Sequence, residues 1–228
     1  MSMKMVRLTS VGKEYAPGRF ALNKISFDLA RGEFAYVTGL NGAGKTTLLK
    51  LLFAMEHSTE GSIVVNSREI SNLPNHKVPE YRREVGFVFQ DFKLLPDLTV
   101  GENIALPLEI RQMSKAESEF RVKGVLSLVG LQNRGDDFPL SLSGGEQQRV
   151  AIARSIITKP SLLLADEPTG NLDSRTAREI MGLFQEIHEM GTTVLLATHD
   201  ELLMEDFPAR VIELENGSIK SDHPGEIF

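Results

Sequence analysis

The sequence contains no cysteine. Disulfide frameworks and thiolate metal sites are thereby excluded, and a reducing compartment is the natural home of such a chain. It also lacks any apolar run approaching the roughly 18 residues of a membrane span. Residues 1–6 carry neither the basic start nor the long apolar centre of a secretory signal. Together these deficits predict a soluble, cytoplasmic chain. Basic charge is scarce, with 25 lysines and arginines against 31 acids and a formal charge of −6. That balance argues against a broad cationic face, so no direct nucleic-acid partner is expected. Internal repeats and low-complexity tracts are missing as well. At 228 residues the chain can bury one core, or a core carrying a smaller lobe.

What the sequence does have is a glycine-rich stretch in an informative place. Gly39, Leu40, Asn41, Gly42, Ala43, Gly44, Lys45 and Thr46 lie between the apolar run 34–37 and the run 47–52, which begins at Thr47. The form is G-x-x-x-x-G-K-[ST], a buried strand followed by a tight loop and a helix start. Glycines let backbone N–H groups point inward, and the helix N-terminus adds positive dipole. Lys45 can reach the β- and γ-phosphates of a nucleotide, and the Thr46 hydroxyl can ligate Mg²⁺.

Residues 5–10 and 25–29 read as opening strands, punctuated by Gly12, Pro17-Gly18 and Arg31-Gly32. Tyr15 lies between them and has two readings by spacing, a ring stacked on adenine or an ordinary edge or core tyrosine. Residues 61–66 form a short strand, 78–83 start a short helix, and 85–89 form a buried strand ended by Gln90. From 91 to about 141 the character changes: Pro96 and Pro107 interrupt it, and 100–113 and 115–129 have helical spacing. This predicts an inserted helical lobe. Leu142-Ser143-Gly144-Gly145-Glu146 then opens a helix through Arg154, and 162–166 is an apolar strand ending in Asp166. Residues 174–190 are helical, 192–197 are strand, and 210–220 form a hairpin about Asn216-Gly217. Alternating strands and helices imply an α/β fold with a mainly parallel sheet covered on both faces.

Ligands of such sheets gather beyond the carboxyl ends of the strands. Thr46, Gln90, Asp166 with Glu167, and His199 all fall there. Asp166 can hold Mg²⁺ opposite Thr46, and Glu167 can polarise the water that attacks the γ-phosphate. Gln90 can touch both metal and water. His199 can donate to the γ-phosphate and help hold Glu167. Ser143, Gly144, Gly145 and Glu146 form a second anion-seeking helix start, with a Ser-x-x-Glu capping box as the equally available alternative.

At this point the motifs resemble those of the nucleotide-binding subunits of ATP-binding cassette (ABC) systems. Gly39 to Thr46 is similar to the Walker A loop, Gln90 to the Q-loop, and 142–146 to the signature. Residues 162–166 with Glu167 look like Walker B, Asn171-Leu172-Asp173 like the D-loop, and His199 like the H-loop. The resemblance implies a P-loop NTPase fold with a RecA-like core, an N-terminal antiparallel β lobe and an inserted α-helical lobe. The core and β lobe would take residues 1–90 and 142–228, and the helical lobe 91–141. It implies ATP as substrate with Mg²⁺, and a head-to-tail homodimer in which the signature of one copy caps the γ-phosphate held by the other. Nucleotide contacts would come from Tyr15, the loop 39–47, Gln90, Ser143 to Glu146, Asp173 and His199, with Thr46, Gln90 and Asp166 on the metal. Lys45, Gln90, Glu167 and His199 would serve the chemistry.

Residues 166–173 are similar to the subgroup that includes lipoprotein-releasing, macrolide-efflux and cell-division cassettes, and 78–83 with 87–96 look like its FtsE-type cell-division members. The likeness implies an FtsX-like permease as membrane partner, peripheral association with the inner face of the bacterial cell membrane, and control of cell-wall hydrolases. A LolD- or MacB-like role in lipoprotein release or export is the alternative. The chain ends soon after the hairpin, which fits a cassette with no regulatory domain. Phe92, Leu94 and Leu95 are candidate anchors for a permease segment, or else lobe core. Gly101, where relatives tend to carry a larger residue, is expected to weaken its helix start.

Overall fold

Two sheets divide the apolar runs of the chain between them. The computed structural model describes residues 3–224; residues 1–2 and 225–228, counted in the core from sequence, lie outside the described residues. In order the elements are β1 (Lys4–Ala16), β2 (Arg19–Ala30), β3 (Phe34–Thr38), α1 (Lys45–Leu52), β4 (Glu60–Val65), β5 (Arg68–Glu69), α2 (Val78–Arg82) and β6 (Val85–Val88). There follow α3 (Val100–Ile110), α4 (Lys115–Leu128), α5 (Gly144–Ile156), β7 (Leu162–Asp166), α6 (Ser174–Glu189), β8 (Thr193–Ala197), α7 (Glu201–Asp206), β9 (Arg210–Glu215) and β10 (Ser218–His223). One sheet is antiparallel in the order β2-β1-β4-β5, and the other runs β10-β9-β3-β8-β7-β6. In the second sheet β9, β3, β8, β7 and β6 are mutually parallel, and β10 closes the edge as an antiparallel hairpin.

The parallel strands are apolar on both faces because each face meets a different core. Ala35, Val37, Leu162, Leu164, Leu195 and Ala197 point to a core shared with α1 and the antiparallel sheet. Their neighbours Phe34, Tyr36, Leu163, Ala165, Val194 and Leu196 point to a core shared with α3, α5 and α6. This alternation is the period-two geometry of a strand applied to a sheet with no solvent face. It leaves the strand ends as the one place where polar side chains can gather.

Several elements depart from the reading by sequence. Gly12 does not end β1; the strand continues to Ala16 through register shifts on either side of Val11, and the Gly12 carbonyl accepts from Thr59 N–H at 2.9 Å. Tyr15 therefore lies within a strand. Pro107 does not interrupt α3 but sits inside it. The helix absorbs the missing N–H because Val100, Ile104 and Leu108, spaced four apart on one face, are fully buried. Gly101 does not mark a weak start either. Thr99 and Glu102 close a capping box there, and Gly101 N–H donates to the Gly135 carbonyl at 2.8 Å. A Cβ at 101 would stand 3.1 Å from that carbonyl oxygen, so the missing side chain lets the segment at 135–137 close over the helix end. Strand β5 and helix α7 had no sequence assignment.

The turn before α3 is held by one side chain. Asn103 is fully buried; its Oδ1 accepts from Leu95 N–H at 2.9 Å, and its Nδ2 donates to the carbonyls of Leu95, Leu98 and Thr99 at 3.0, 3.1 and 2.9 Å. Removing the amide would strand several backbone groups away from water. Asn103→Ala is expected to lower stability by about 2–3 kcal/mol, seen as a lower urea midpoint at unchanged slope. An unshifted midpoint would show that this turn is held by something else.

Candidate active site at the strand ends

The glycine-rich loop joins β3 to α1 and is shaped by close approaches. Gly39 and Gly44 have φ of 137° and 111°, and a Cβ would fall 2.2 Å from the Leu214 carbonyl oxygen at the first and 2.5 Å from that of Ala21 at the second. No side chain can occupy either place. Beyond the loop, the Lys45 ammonium is buried to 6% exposure. It donates to the carbonyls of Gly39 and Leu40 at 2.7 and 3.4 Å and lies 3.6 Å from a Glu167 oxygen. The lysine is thus held at the mouth by groups that a phosphate oxygen would replace one for one.

Thr46 connects this loop to β7, donating its hydroxyl to Asp166 Oδ1 at 3.1 Å. Burial raises the pKa of Asp166, the Thr46 hydrogen bond opposes that shift, and the neighbouring Glu167 adds to it. Glu167 follows with a left-handed backbone, φ 44°, and its N–H donates to the Ala197 carbonyl at 2.9 Å. That conformation is uncommon for a side chain of this size and turns the carboxylate out of the strand direction. One of its oxygens lies 3.2 Å from His199 Nδ1, just past β8. A cavity of about 390 Å³ is lined by Asn41, Gly42, Lys45, Thr46, Thr47, Gln90, Glu167 and His199, with Ala21 completing one wall.

Other residues predicted for the site fall outside this cavity. The half-exposed Tyr15 stands at its edge, its hydroxyl 3.5 Å from Thr47 Oγ1. Ser143, Gly144, Gly145 and Glu146 do not line it. Ser143 and Glu146 instead form the capping box of α5: Ser143 Oγ accepts from Glu146 N–H at 3.3 Å, and Glu146 Oε2 accepts from Ser143 N–H and hydroxyl at 2.8 Å each. These bonds from Ser143 hold the Glu146 carboxyl below its usual range. Asp173 caps α6, accepting from the N–H groups of Arg175 and Thr176 at 3.1 and 3.0 Å. Of the apolar anchor candidates, Leu94 packs into the second core, while Leu95 is 46% exposed.

Sequence reasoning missed the support behind Tyr15. Lys13, two residues earlier on the same face of β1, places its ammonium 5.0 Å over the tyrosine ring and 3.3 Å from Glu56. The period-two spacing of Lys13 and Tyr15 was visible, but Glu56 is distant in sequence and carried no signal.

The donor set suits a magnesium nucleotide. A hydroxyl and a buried carboxylate give hard oxygen ligands, and no cluster of three or more His, Asp or Glu is present among the described residues. Mg²⁺ is commonly held this way, by few protein oxygens together with phosphates.

Comparison with known proteins agrees with this geometry. The ABC transporter family profile matches residues 22–170. The cell division ATP-binding protein FtsE of Bacillus subtilis is 46% identical over 218 residues, covering 96% of each chain. The FtsE of Escherichia coli K12 is 46% identical over 215 residues, covering 94% of this chain and 97% of that one. A solved structure described as a dimeric post-hydrolysis state of the ATP-binding cassette MJ0796 bound to ADP and Pi superposes with a TM-score of 0.89. It is 36% identical and covers 98% of this chain and 100% of that one. A P-loop whose lysine and threonine face a carboxylate pair, in a chain related over nearly its whole length to such cassettes, leaves one assignment: the chain belongs to the ABC transporter family, as an ATP-hydrolysing subunit of the FtsE type.

Proposed function

We propose that this ATPase works as a homodimer on the cytoplasmic face of a bacterial cell membrane, where ATP-driven closure acts on an FtsX-like permease during cell division. The observation that carries the proposal is the separation of two anion-seeking elements. Lys45, Thr46 and Glu167 share one cavity, and the Ser143 helix start is absent from it. A second copy, placed head to tail, would bring Ser143, Gly144, Gly145 and Glu146 to the open side of the nucleotide, with Asp173 beside them. The dimeric state named for the solved cassette supports that arrangement.

In each site the roles follow from position. The loop 39–47 cradles the phosphates, and Lys45 moves from the Gly39 carbonyl to phosphate oxygen. Tyr15 stacks on the base from its place beside Thr47. Thr46 and Asp166 hold Mg²⁺, with Gln90 at the same mouth; when bound, the ion neutralises developing charge on the phosphates. Glu167 orients and polarises the attacking water, and His199 fixes that carboxylate and donates to the γ-phosphate. We assign residues 91–141 to a helical lobe on a core of 1–90 and 142–228, one ATPase domain in all. Among the described residues no helix is long and apolar enough to cross a membrane, so association is assigned to the permease. Because the relatives named above are cell-division proteins, the lipoprotein-release and efflux alternative is set aside.

Glu167→Gln is expected to cut ATP turnover by about 10²–10⁴-fold while ATP binding persists and a dimer accumulates, measured by phosphate release and size-exclusion chromatography with ATP. Undiminished turnover would remove Glu167 from the reaction. Lys45→Ala should abolish binding of a fluorescent ATP analogue, and retained affinity would contradict the cradle assignment. Asp166→Asn separates stability from activity. The folded-state pKa of Asp166 is raised, so its contribution is unfavourable once pH exceeds the raised value and fades as pH falls to the ordinary carboxylate range. The nucleotide-free Asn variant should therefore melt higher at neutral pH, by about 2–4 °C per kcal/mol gained, and the advantage should vanish on acidification. A lower melting temperature at neutral pH would mean that the carboxylate is favourable where it sits.

A further inference from the structure

Tyr15 is held by more than its contact at the edge of the nucleotide cavity. The 3.5 Å separation from Thr47 Oγ1 is at the long limit of a hydrogen bond, too weak to fix a half-exposed ring by itself. A tyrosine held only there would keep its side-chain freedom and lose it when a base arrived.

A largely buried ion pair supplies the restraint. Lysines are seldom buried, yet the Lys13 side chain is only 15% exposed. Its ammonium lies 5.0 Å over the centre of the Tyr15 ring, donates to the His57 carbonyl at 3.0 Å and sits 3.3 Å from Glu56 Oε2. That carboxylate oxygen is buried and has no alternative partner among the described residues. The other Glu56 oxygen lies 3.8 Å from Lys50 in the last turn of α1. Burial works against the Glu56 charge, but the Tyr15 hydroxyl, Lys13 and Lys50 outweigh it and hold the carboxyl below its usual range. Burial raises the Tyr15 phenol pKa, Thr47 opposes that shift and Glu56 adds to it, so the hydroxyl stays protonated and able to donate.

The backbone closes around the same pair. Glu56 belongs to the loop between α1 and β4. In that loop the Thr59 N–H and hydroxyl both donate to the Gly12 carbonyl, at 2.9 and 3.0 Å, and Thr59 Oγ1 accepts from Glu14 N–H at 3.1 Å. The loop therefore grips β1 on both sides of Lys13. Because α1 carries Lys45 and Thr46 at its other end, the ring and the phosphate loop are held in register through one helix.

We infer that Lys13 and Glu56 are positioning residues for the nucleotide base: Lys13, fixed by Glu56, covers one face of the Tyr15 ring and leaves the other preset for adenine. The inference rests on the assignment of Tyr15 to the base, and deepens it by naming what sets the ring. Neither side chain lines the cavity of Lys45 and Thr46, so their effect falls on the base and not on the triphosphate. A preset ring avoids the ordering of one side chain on binding, which corresponds to about 2–10-fold in affinity.

The test measures, by calorimetric titration with Mg²⁺ present, the affinity for ATP and for inorganic tripolyphosphate, which has the phosphates and no base. Wild type is compared with Glu56→Gln, Lys13→Met, Tyr15→Ala and the double variant of Glu56→Gln with Tyr15→Ala; thermal melting of each reports folding. A field effect on the phosphates would act on both ligands alike, and with opposite signs in the two charge variants, since one removes an anion and the other a cation. Ring positioning gives a different result: the ratio of ATP to tripolyphosphate affinity falls about 2–10-fold in both charge variants. The loss should appear in KM for ATP and not in kcat, and Glu56→Gln should add nothing once Tyr15 is alanine. An unchanged ratio in either charge variant, with ATP binding weakened by Tyr15→Ala, overturns the inference and leaves the stacking assignment standing. A full further loss in the double variant overturns it as well, since Glu56 would then act on something other than the ring. ATP affinity undisturbed by Tyr15→Ala removes the stacking assignment, and this inference with it.

Discussion

The hydrogen bond from the Thr46 hydroxyl to Asp166 is where the two halves of this catalytic machinery meet. It ties the start of α1 to the end of β7, two elements 120 residues apart in sequence, and sets the phosphate loop facing the carboxylates. The connection continues outward: Lys45 pairs with Glu167, and a Glu167 oxygen lies 3.2 Å from His199 Nδ1. Lys45 and Asp166 are drawn out of water beside a parallel sheet apolar on both faces, where a buried charge survives only with partners, while Thr46 and His199 stay exposed at the mouth. The site is therefore a by-product of the sheet's burial as much as of its own chemistry.

The two cores have separate duties. The first packs the antiparallel sheet and α1 against one face of the parallel strands, fixing the loop that cradles phosphate. The second packs α3, α5 and α6 against the other face. Asn103 and the two capping boxes at Thr99 and Ser143 then define where α3 and α5 begin. Because α5 carries residues 143–146 at its start, this second core also sets the surface proposed to meet a second copy.

Much of this was legible in the sequence because the informative patterns are local. A glycine-rich turn and a lysine before a hydroxyl need only eight consecutive residues, directly after a strand, to announce a phosphate loop. Asp166 and His199 could be placed at strand ends because the apolar runs before them were unmistakable. What stayed hidden depends on contacts between distant residues. Gly12 looked like a terminator, but a bulge accommodates it inside β1. Pro107 looked like a break, but the buried face of its helix, Val100, Ile104 and Leu108, outweighs one lost hydrogen bond.

The reciprocal bonds between Ser143 and Glu146 make the signature helix self-sufficient in the lone chain. Its hydroxyl and N–H are already answered by an internal carboxylate, which also places negative charge where a phosphate would arrive. The second oxygen of that carboxylate lies 3.0 Å from Arg134, so under the head-to-tail arrangement proposed above Glu146 could release Ser143 without losing its own charge partner. On that proposal the capping box is a placeholder, an internal carboxylate occupying the helix start until a phosphate is presented to it.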